Sequence, residues 1–377
     1  MNRNLYRIVF NKARGLMMVV AERVAAQRKG DRAASNTGPV NSDVSGRDGP
    51  TLKLKTLRVF VGLTLAVALP AGADIVADRS APPNQQPTVL QAGNGVPLVN
   101  IQTPSAAGVS RNTYSQFDVS QQGAILNNSR TNVRTQLAGY VQGNPWLATG
   151  SARILVNEVN SNNPSLLHGY LEVAGIRAQV VVANPSGISC DGCGFINANR
   201  TTLTTGTPIF SGGDLEGYRV QRGIVTVAGA GMDASQTDYT DIIARAVQVN
   251  AGIWANALKV STGVNELSAD HSRITPSGSG EDDTPALALD VAALGGMYGG
   301  KITLIGTEAG VGVRNAGAIG ATAGQVSLDA NGMVTNSGTI NTTSADSDVV
   351  LRSKGFANSG SIGSQHNIAI RNDGDAS

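Results

Sequence analysis

The chain is short of rings, cysteines and charge, and each shortage removes a class of protein. Aromatic residues make up 4% and charged residues 15% of its 377 positions. Such a core rests on small aliphatic side chains and suits many short strands joined by tight turns. After the first seventy residues long amphipathic stretches of helical period are nearly absent. Without crossover helices a doubly wound sheet does not form, which leaves a sandwich, a barrel or a parallel β-helix. No basic surplus marks the mature part: Met1–Ala73 holds 12 of the 29 Lys/Arg and 4 of the 27 Asp/Glu, leaving 17 basic against 23 acidic residues. A remainder of net charge −6 carries no footprint for nucleic acid. Patterns of catalysis are missing too: there is no Gly-x-Ser-x-Gly elbow and no His-Glu-x-x-His. The sequence therefore predicts no enzyme, no metal site and no cofactor.

Long hydrophobic runs are also lacking. The longest, Val59–Leu69, has eleven residues between Arg58 and Pro70. As a helix it rises only about 16 Å, half of a bilayer core. A charged flank, a short apolar core and Ala71-Gly72-Ala73 are the parts of a secretory signal, with Asp74 as the expected mature N-terminus. Some fifty residues precede that core, whereas ordinary signals run about 15–30 residues. The first block, Met1–Glu22, is basic with an apolar repeat, and an amphipathic membrane-surface helix is the other reading of it.

What is abundant is glycine, 46 residues or about 12% against about 7% in ordinary usage. Asn and Thr recur in clusters. Runs such as Ala124–Leu126, Ile154–Val156, Tyr170–Ala174, Ala178–Val182 and Gly223–Val227 each end close to Gly, Asn or Pro, and several are apolar throughout rather than alternating. Asp241–Val249 reads as a helix or as a strand. From residue 315 a repeat sets in: Asn315-Ala316-Gly317, Asn336-Ser337-Gly338 and Asn358-Ser359-Gly360 lie 21 and 22 residues apart, with Val326–Leu328, Val349–Leu351 and Ile368–Ile370 between and after them. One repeat of that length fits one coil of a β-solenoid, with Asn and Gly at stacked corners. The repeat stops at Ser377 without a cap, which leads us to expect an N-terminal piece of a longer protein or a truncated frame.

The densest turn chemistry lies in Ala183–Arg200, where Asn184-Pro185-Ser186-Gly187-Ile188 is followed by Cys190-Asp191-Gly192-Cys193. These are the only cysteines. A redox pair would need a βαβ context, and zinc would need two further ligands although His168, His271 and His366 are scattered. A small structural disulfide suits a chain that crosses an oxidising compartment. Two other Asn-Pro turns occur: Asn144-Pro145-Trp146-Leu147, and Asn163-Pro164-Ser165, which reads as an ordinary loop. Trp146 and Trp254 are expected to pack beside turns rather than stack on a ligand. Glu281-Asp282-Asp283, beside Ser277–Gly280, reads as a solvated linker.

Taken in order, these segments resemble the two-partner secretion exoproteins, the family of filamentous haemagglutinin-type adhesins, contact-dependent growth-inhibition toxins and haemolysins. The family's signature turns, Asn-Pro-Asn-Leu and Asn-Pro-Asn-Gly-Ile, match Asn144, Pro145, Leu147 and Asn184, Pro185, Gly187, Ile188, with Trp146 and Ser186 at the third positions. Asn250–Ala255, Leu294–Val313 and Met1–Glu22 (with Phe10 where relatives carry Trp) extend the likeness. The haemolysin-like and growth-inhibition branches also resemble this chain in having the cysteine pair.

The resemblance implies an all-β, right-handed parallel β-helix with an N-terminal cap and short extra-helical hairpins. It implies an extended signal peptide over residues 1–73, a secretion domain over 74–270, a polar linker over 271–285, and over 286–377 the end of that domain with the first haemagglutinin-type repeats. It further implies passage through the Sec translocon and then an outer-membrane β-barrel transporter, with a surface receptor on a host or neighbouring cell and a destination outside a Gram-negative bacterium. A β-helix carbohydrate-active enzyme and a pore-forming haemolysin are the alternatives.

Overall fold

The structure, a computed structural model, describes residues 6–11, 16–21 and 74–374. Near the N-terminus Tyr6–Asn11 and Leu16–Ala21 pair antiparallel, with Tyr6 opposite Ala21, so this block is a strand hairpin rather than a surface helix. The expected signal core Val59–Leu69 and the Ala73 cleavage site lie outside the described residues.

From Asp74 onward the chain winds as a parallel β-helix with three faces. One face stacks Val109–Phe117, Ile154–Val159, Ala178–Ala183 and Ala198–Thr204 in parallel, and continues through 239–243 and 257–262 to Ile368–Asn372. A second runs from Ser165–Leu167 through 188–191 and 225–228 to Gly355–Asn358. The third begins at Pro97–Asn100 and Ala124–Asn128 and ends at Ser361–Gly363. Asp241–Val249, left open between helix and strand, is strand on either side of Arg245. At the front, Ile75–Ala77 and Thr88–Gln91 pair antiparallel with the first coils and form the cap.

The apolar runs follow from what covers them. In Ala178–Ala183, Val180 and Val182 fill the helix interior, while Val181 faces outward into a second core. That second core lies under a four-stranded antiparallel sheet made by Thr207–Ser211, Asp214–Val220, Asn265–Ser268 and Ile274–Pro276. A smaller hairpin, Val133–Thr135 with Gly139–Val141, covers Ile125 on another face in the same way. Sheet covered on both sides needs apolar residues at every position. In the rear coils no strand among the described residues covers the outside and the pattern alternates: Val326, Leu328 and Ala330 are buried, Ser327 is half-buried and Asp329 is exposed.

The stretch 271–285 differs from the expected linker. Its Ile274–Pro276 is a strand of the extra-helical sheet, and His271 is 2% exposed. The Asp282 carboxylate accepts from the buried Arg245 guanidinium and, at 3.1 Å, from the Gly223 amide. Arg245 also reaches Glu308 at 2.9 Å. Glu281-Asp282-Asp283 remain exposed, as expected of solvated charge, while the buried Arg245 guanidinium takes its carboxylate partners from Asp282 and Glu308.

Candidate functional site

Both signature turns are built the same way. A buried asparagine holds two parts of the backbone, proline fixes the next φ, and an apolar residue ends in the core. Asn144 is 3% exposed. Its Oδ1 accepts from the Trp146 amide at 3.0 Å, and its Nδ2 donates at 2.9 Å to the carbonyls of Ile101 and of Asn127. Pro145–Leu147 forms one turn of 3-10 helix, which needs a capping acceptor before it and tolerates proline at its start. Leu147 plugs the interior core. The exposed Trp146 ring lines a cleft of about 570 Å³ with Pro83, Pro87 and Val89, and its Nε1 donates to Thr88 Oγ1 at 3.2 Å. The first turn thus ties the cap to the first coils.

Asn184 is fully buried between coils. Its Oδ1 accepts from the Ser186 amide at 2.9 Å, while Nδ2 donates to the Asn163 carbonyl at 2.9 Å and to Ser165 Oγ at 3.0 Å. Ser186 Oγ donates to the Ser161 carbonyl at 3.0 Å. Gly187 has φ +109°, and a Cβ there would lie 3.1 Å from the Ile224 carbonyl oxygen, so the next coil passes too close for a side chain. Ile188 then enters the core and begins Ile188–Ile196. The two turns sit at different corners and share no hydrogen-bond partner.

Cys190 and Cys193 are joined in a disulfide with Cα atoms 5.3 Å apart. Cys190 pairs along the second face with Leu167 and Val227, and Cys193 along the third with Met232, so the bridge closes the corner between the two. Gly192 turns that corner with φ +82°. On the outside, the Asp191 carboxylate accepts from the Ala230 amide of the next coil at 2.7 Å.

Sequence reasoning missed the neighbour beneath the second turn. Asn163-Pro164-Ser165, read as an ordinary loop, lies beneath the second turn: its Asn163 carbonyl accepts from Asn184 and Ser165 pairs with Ile188. The signal was present in part: Asn-Pro-Ser recurs at 21 residues, close to the 23-residue offset by which Ser165 pairs with Ile188. It also passed over Asn197, whose φ of +59° marks a left-handed corner and whose Nδ2 donates to the carbonyls of Val173 and Gly175 at 2.8 and 3.0 Å. Trp254 and Tyr298 pair directly across coils, their rings 6.2 Å apart and nearly parallel, over Gly252 and Gly296.

In the rear coils the expected corner ladder is present. Asn315 Nδ2 donates to Asn336 Oδ1, and Asn336 Nδ2 to Asn358 Oδ1, both at 2.7 Å. A Cβ on Gly338 would meet the Gly317 carbonyl oxygen at 2.0 Å, and one on Gly360 the Gly338 oxygen at 2.1 Å.

Comparison with known proteins agrees with this geometry. A family model described as the TPS secretion domain matches residues 73–342, and one described as the Extended Signal Peptide of Type V secretion system matches 1–47. Toxin CdiA of Yersinia pestis is 54% identical over 360 residues, which cover 96% of this chain and 11% of that protein. tRNA nuclease CdiA-2 of Burkholderia pseudomallei (strain 1026b) is 44% identical over 343 residues, covering 90% of this chain and 11% of that one. The chain thus spans about a tenth of the length of these curated relatives. The crystal structure of the filamentous hemagglutinin secretion domain superposes with a TM-score of 0.71 at 32% identity, over 78% of this chain and 99% of that one.

Proposed function

Because the chain belongs to the TPS secretion-domain family of two-partner secretion exoproteins, we propose that its two buried asparagine turns shape the segment on which export depends. The family's domain is a secretion module rather than a catalyst; it implies a cognate outer-membrane transporter, and the extended signal peptide implies export by signal peptide. The product is an exoprotein secreted to the surface of a Gram-negative cell.

In our reading the Sec translocon delivers the chain to the periplasm and cleavage after Ala73 leaves Asp74 first. A β-barrel transporter recognises the module before it is wound, and winding outside the cell helps draw the chain outward. Asn144, Pro145 and Leu147 set the junction of cap and first coil. Asn184, Pro185, Gly187 and Ile188 set a later corner, and the Cys190–Cys193 bridge holds the corner after it. The observation that carries this is the burial of both asparagines on backbone partners, which makes each turn a condition for winding the coils around it.

Since the curated relatives are named as toxins and nucleases, we further infer that the module serves contact-dependent toxin delivery, with a receptor on a neighbouring cell. The test is export of an Asn184→Ala/Pro185→Ala variant from cells carrying the cognate transporter. We expect the secreted fraction to fall by at least about tenfold, a loss of about 1.4 kcal/mol or more in the step that depends on the turn; undiminished secretion would overturn the proposal.

A further inference from the structure

The extra-helical sheet closes over a group of buried charges that the turns do not involve. Asp241 points outward from its coil and is 2% exposed. Its Oδ2 lies 3.0 Å from Arg200 Nε, and its Oδ1 lies 3.0 Å from His271 Nδ1. Arg200 belongs to the preceding coil and stacks over the Tyr239 ring at 4.9 Å. Lys259 comes from the following coil, where it pairs in register with Asp241, and its Nζ donates to the His271 carbonyl at 2.6 Å. Burial pushes the Lys259 ammonium below its ordinary range, against the attraction of Asp241.

The covering side is equally constrained. His271 lies in the loop between two strands of the sheet, is 2% exposed and has φ +61°, a conformation rare for any residue with a side chain. Both its ring nitrogens, like Arg200 Nε and Asp241 Oδ2, are buried outside hydrogen-bond geometry. These groups are held by close approach and by the charge pair of Arg200 and Asp241 rather than by aligned hydrogen bonds. The Tyr218 ring, from the other half of the sheet, lies 5.5 Å from the imidazole and is fully buried. Asp270 holds the loop in shape by accepting from the Ser272 amide at 3.0 Å. A buried carboxylate is tolerated only with partners in place, and a left-handed histidine persists only where the surroundings hold it.

We propose that this cluster is a register lock. The sheet closes only when three consecutive coils, bearing Arg200, Asp241 and Lys259, are wound in their proper alignment. Once closed it holds those coils against unwinding. A slip of one residue turns Asp241 into the helix interior and removes all its partners at once. Its bearing on export rests on the functional reading above, whereas the lock itself is testable without a transporter.

The test is native-state hydrogen exchange on the full chain. For Asp241→Asn we expect exchange in 207–220 and 265–276 to rise on the order of 100-fold, with 154–183 following and 313–353 unchanged. Lys259→Met, which keeps the side-chain bulk and removes the bond to the His271 carbonyl together with a positive charge beside Asp241, should raise the same two segments by about fivefold. Unchanged exchange in the sheet, or an equal rise through all coils in both variants, would overturn the lock. A parallel export measurement separates the two readings. Sheet opening with normal export retains the lock and removes its role in secretion; protection with failed export removes the lock alone.

Discussion

The coils around Ala178–Ala183 and those around Val326–Ala330 wind in the same way and hold their corners by different means. In front, the asparagines of the two signature turns bond to backbone particular to their place, Asn144 to Ile101 and Asn127, Asn184 to Asn163, and one Asn–Asn rung, Asn127 to Asn100, occurs at the first coils. At the rear, Asn315, Asn336 and Asn358 bond to one another. Nearly equal coil lengths, 21 and 22 residues at this corner, let identical residues satisfy each other, so a rear coil resembles its neighbours. Front coils vary in length and carry inserted hairpins, so every corner needs its own solution. The outer surface follows the same division, with Val181 covered by a second core and Asp329 exposed. A front with place-specific corners suits recognition by a partner, while the rear suits extension by further coils.

The largest test of that contrast compares Asn184→Ala with Asn336→Ala. The first leaves the Ser186 amide and two acceptors unmet and should cost about 3 kcal/mol. The second breaks a ladder that runs toward the more open end of the helix and should cost about 1–2 kcal/mol. Urea midpoints with unchanged slopes would measure both, and equal losses would dissolve the distinction.

Next comes Gly338→Ala, whose Cβ meets the Gly317 carbonyl oxygen at 2.0 Å. It should cost about 2–3 kcal/mol and raise hydrogen exchange only in 312–363. Gly355→Ala, with only the Met333 side chain near at 3.6 Å, should be close to neutral. Removing the disulfide by Cys190→Ser/Cys193→Ser should cost about 2 kcal/mol, because so short a loop restrains the unfolded chain little. It should leave export in place, whereas Asn184→Ala/Pro185→Ala should not; loss of export on cysteine removal alone would place the bridge among the turn's requirements.

The smallest effect concerns pH. Burial pushes the Asp233 carboxyl upward, but hydrogen bonds from Ser235 and Tyr170 outweigh it and hold the group below its ordinary 3.8. A lowered folded-state pKa adds stability that is present above the unfolded value and is lost as pH falls through the folded one. Tyr170→Phe, which removes a 2.8 Å bond to Asp233, should cost less than about 1 kcal/mol at neutral pH and less in acid, once the folded-state carboxyl is protonated. Melting temperatures at neutral and acid pH would check it, and a cost undiminished in acid would count against the assignment.

Much of the fold was legible because a solenoid repeats in sequence what it repeats in space. The 21- and 22-residue spacing of the Asn-x-Gly corners announced the coil, and the rear strands alternate as a one-sided sheet must. The signature turns were legible as turns. Their depth was not, because Asn184 becomes structural only when Asn163 arrives beneath it. Within 271–285 the acidic run Glu281-Asp282-Asp283 is exposed, as a solvated stretch would be, whereas the strand Ile274–Pro276 and the buried His271 were not legible because their covering role depends on strands distant in sequence.

What the sequence by itself determined is the period, the turns and the apolar content of each strand, since these depend on backbone sterics and side-chain size. What only the tertiary structure decided is which outward residues are covered. Val181, Asp241 and His271 are buried by segments distant in sequence that fold back over one face. Burial, and hence the energetic meaning of a charge or a methyl group, belongs to that coverage and not to the residues near it in the chain.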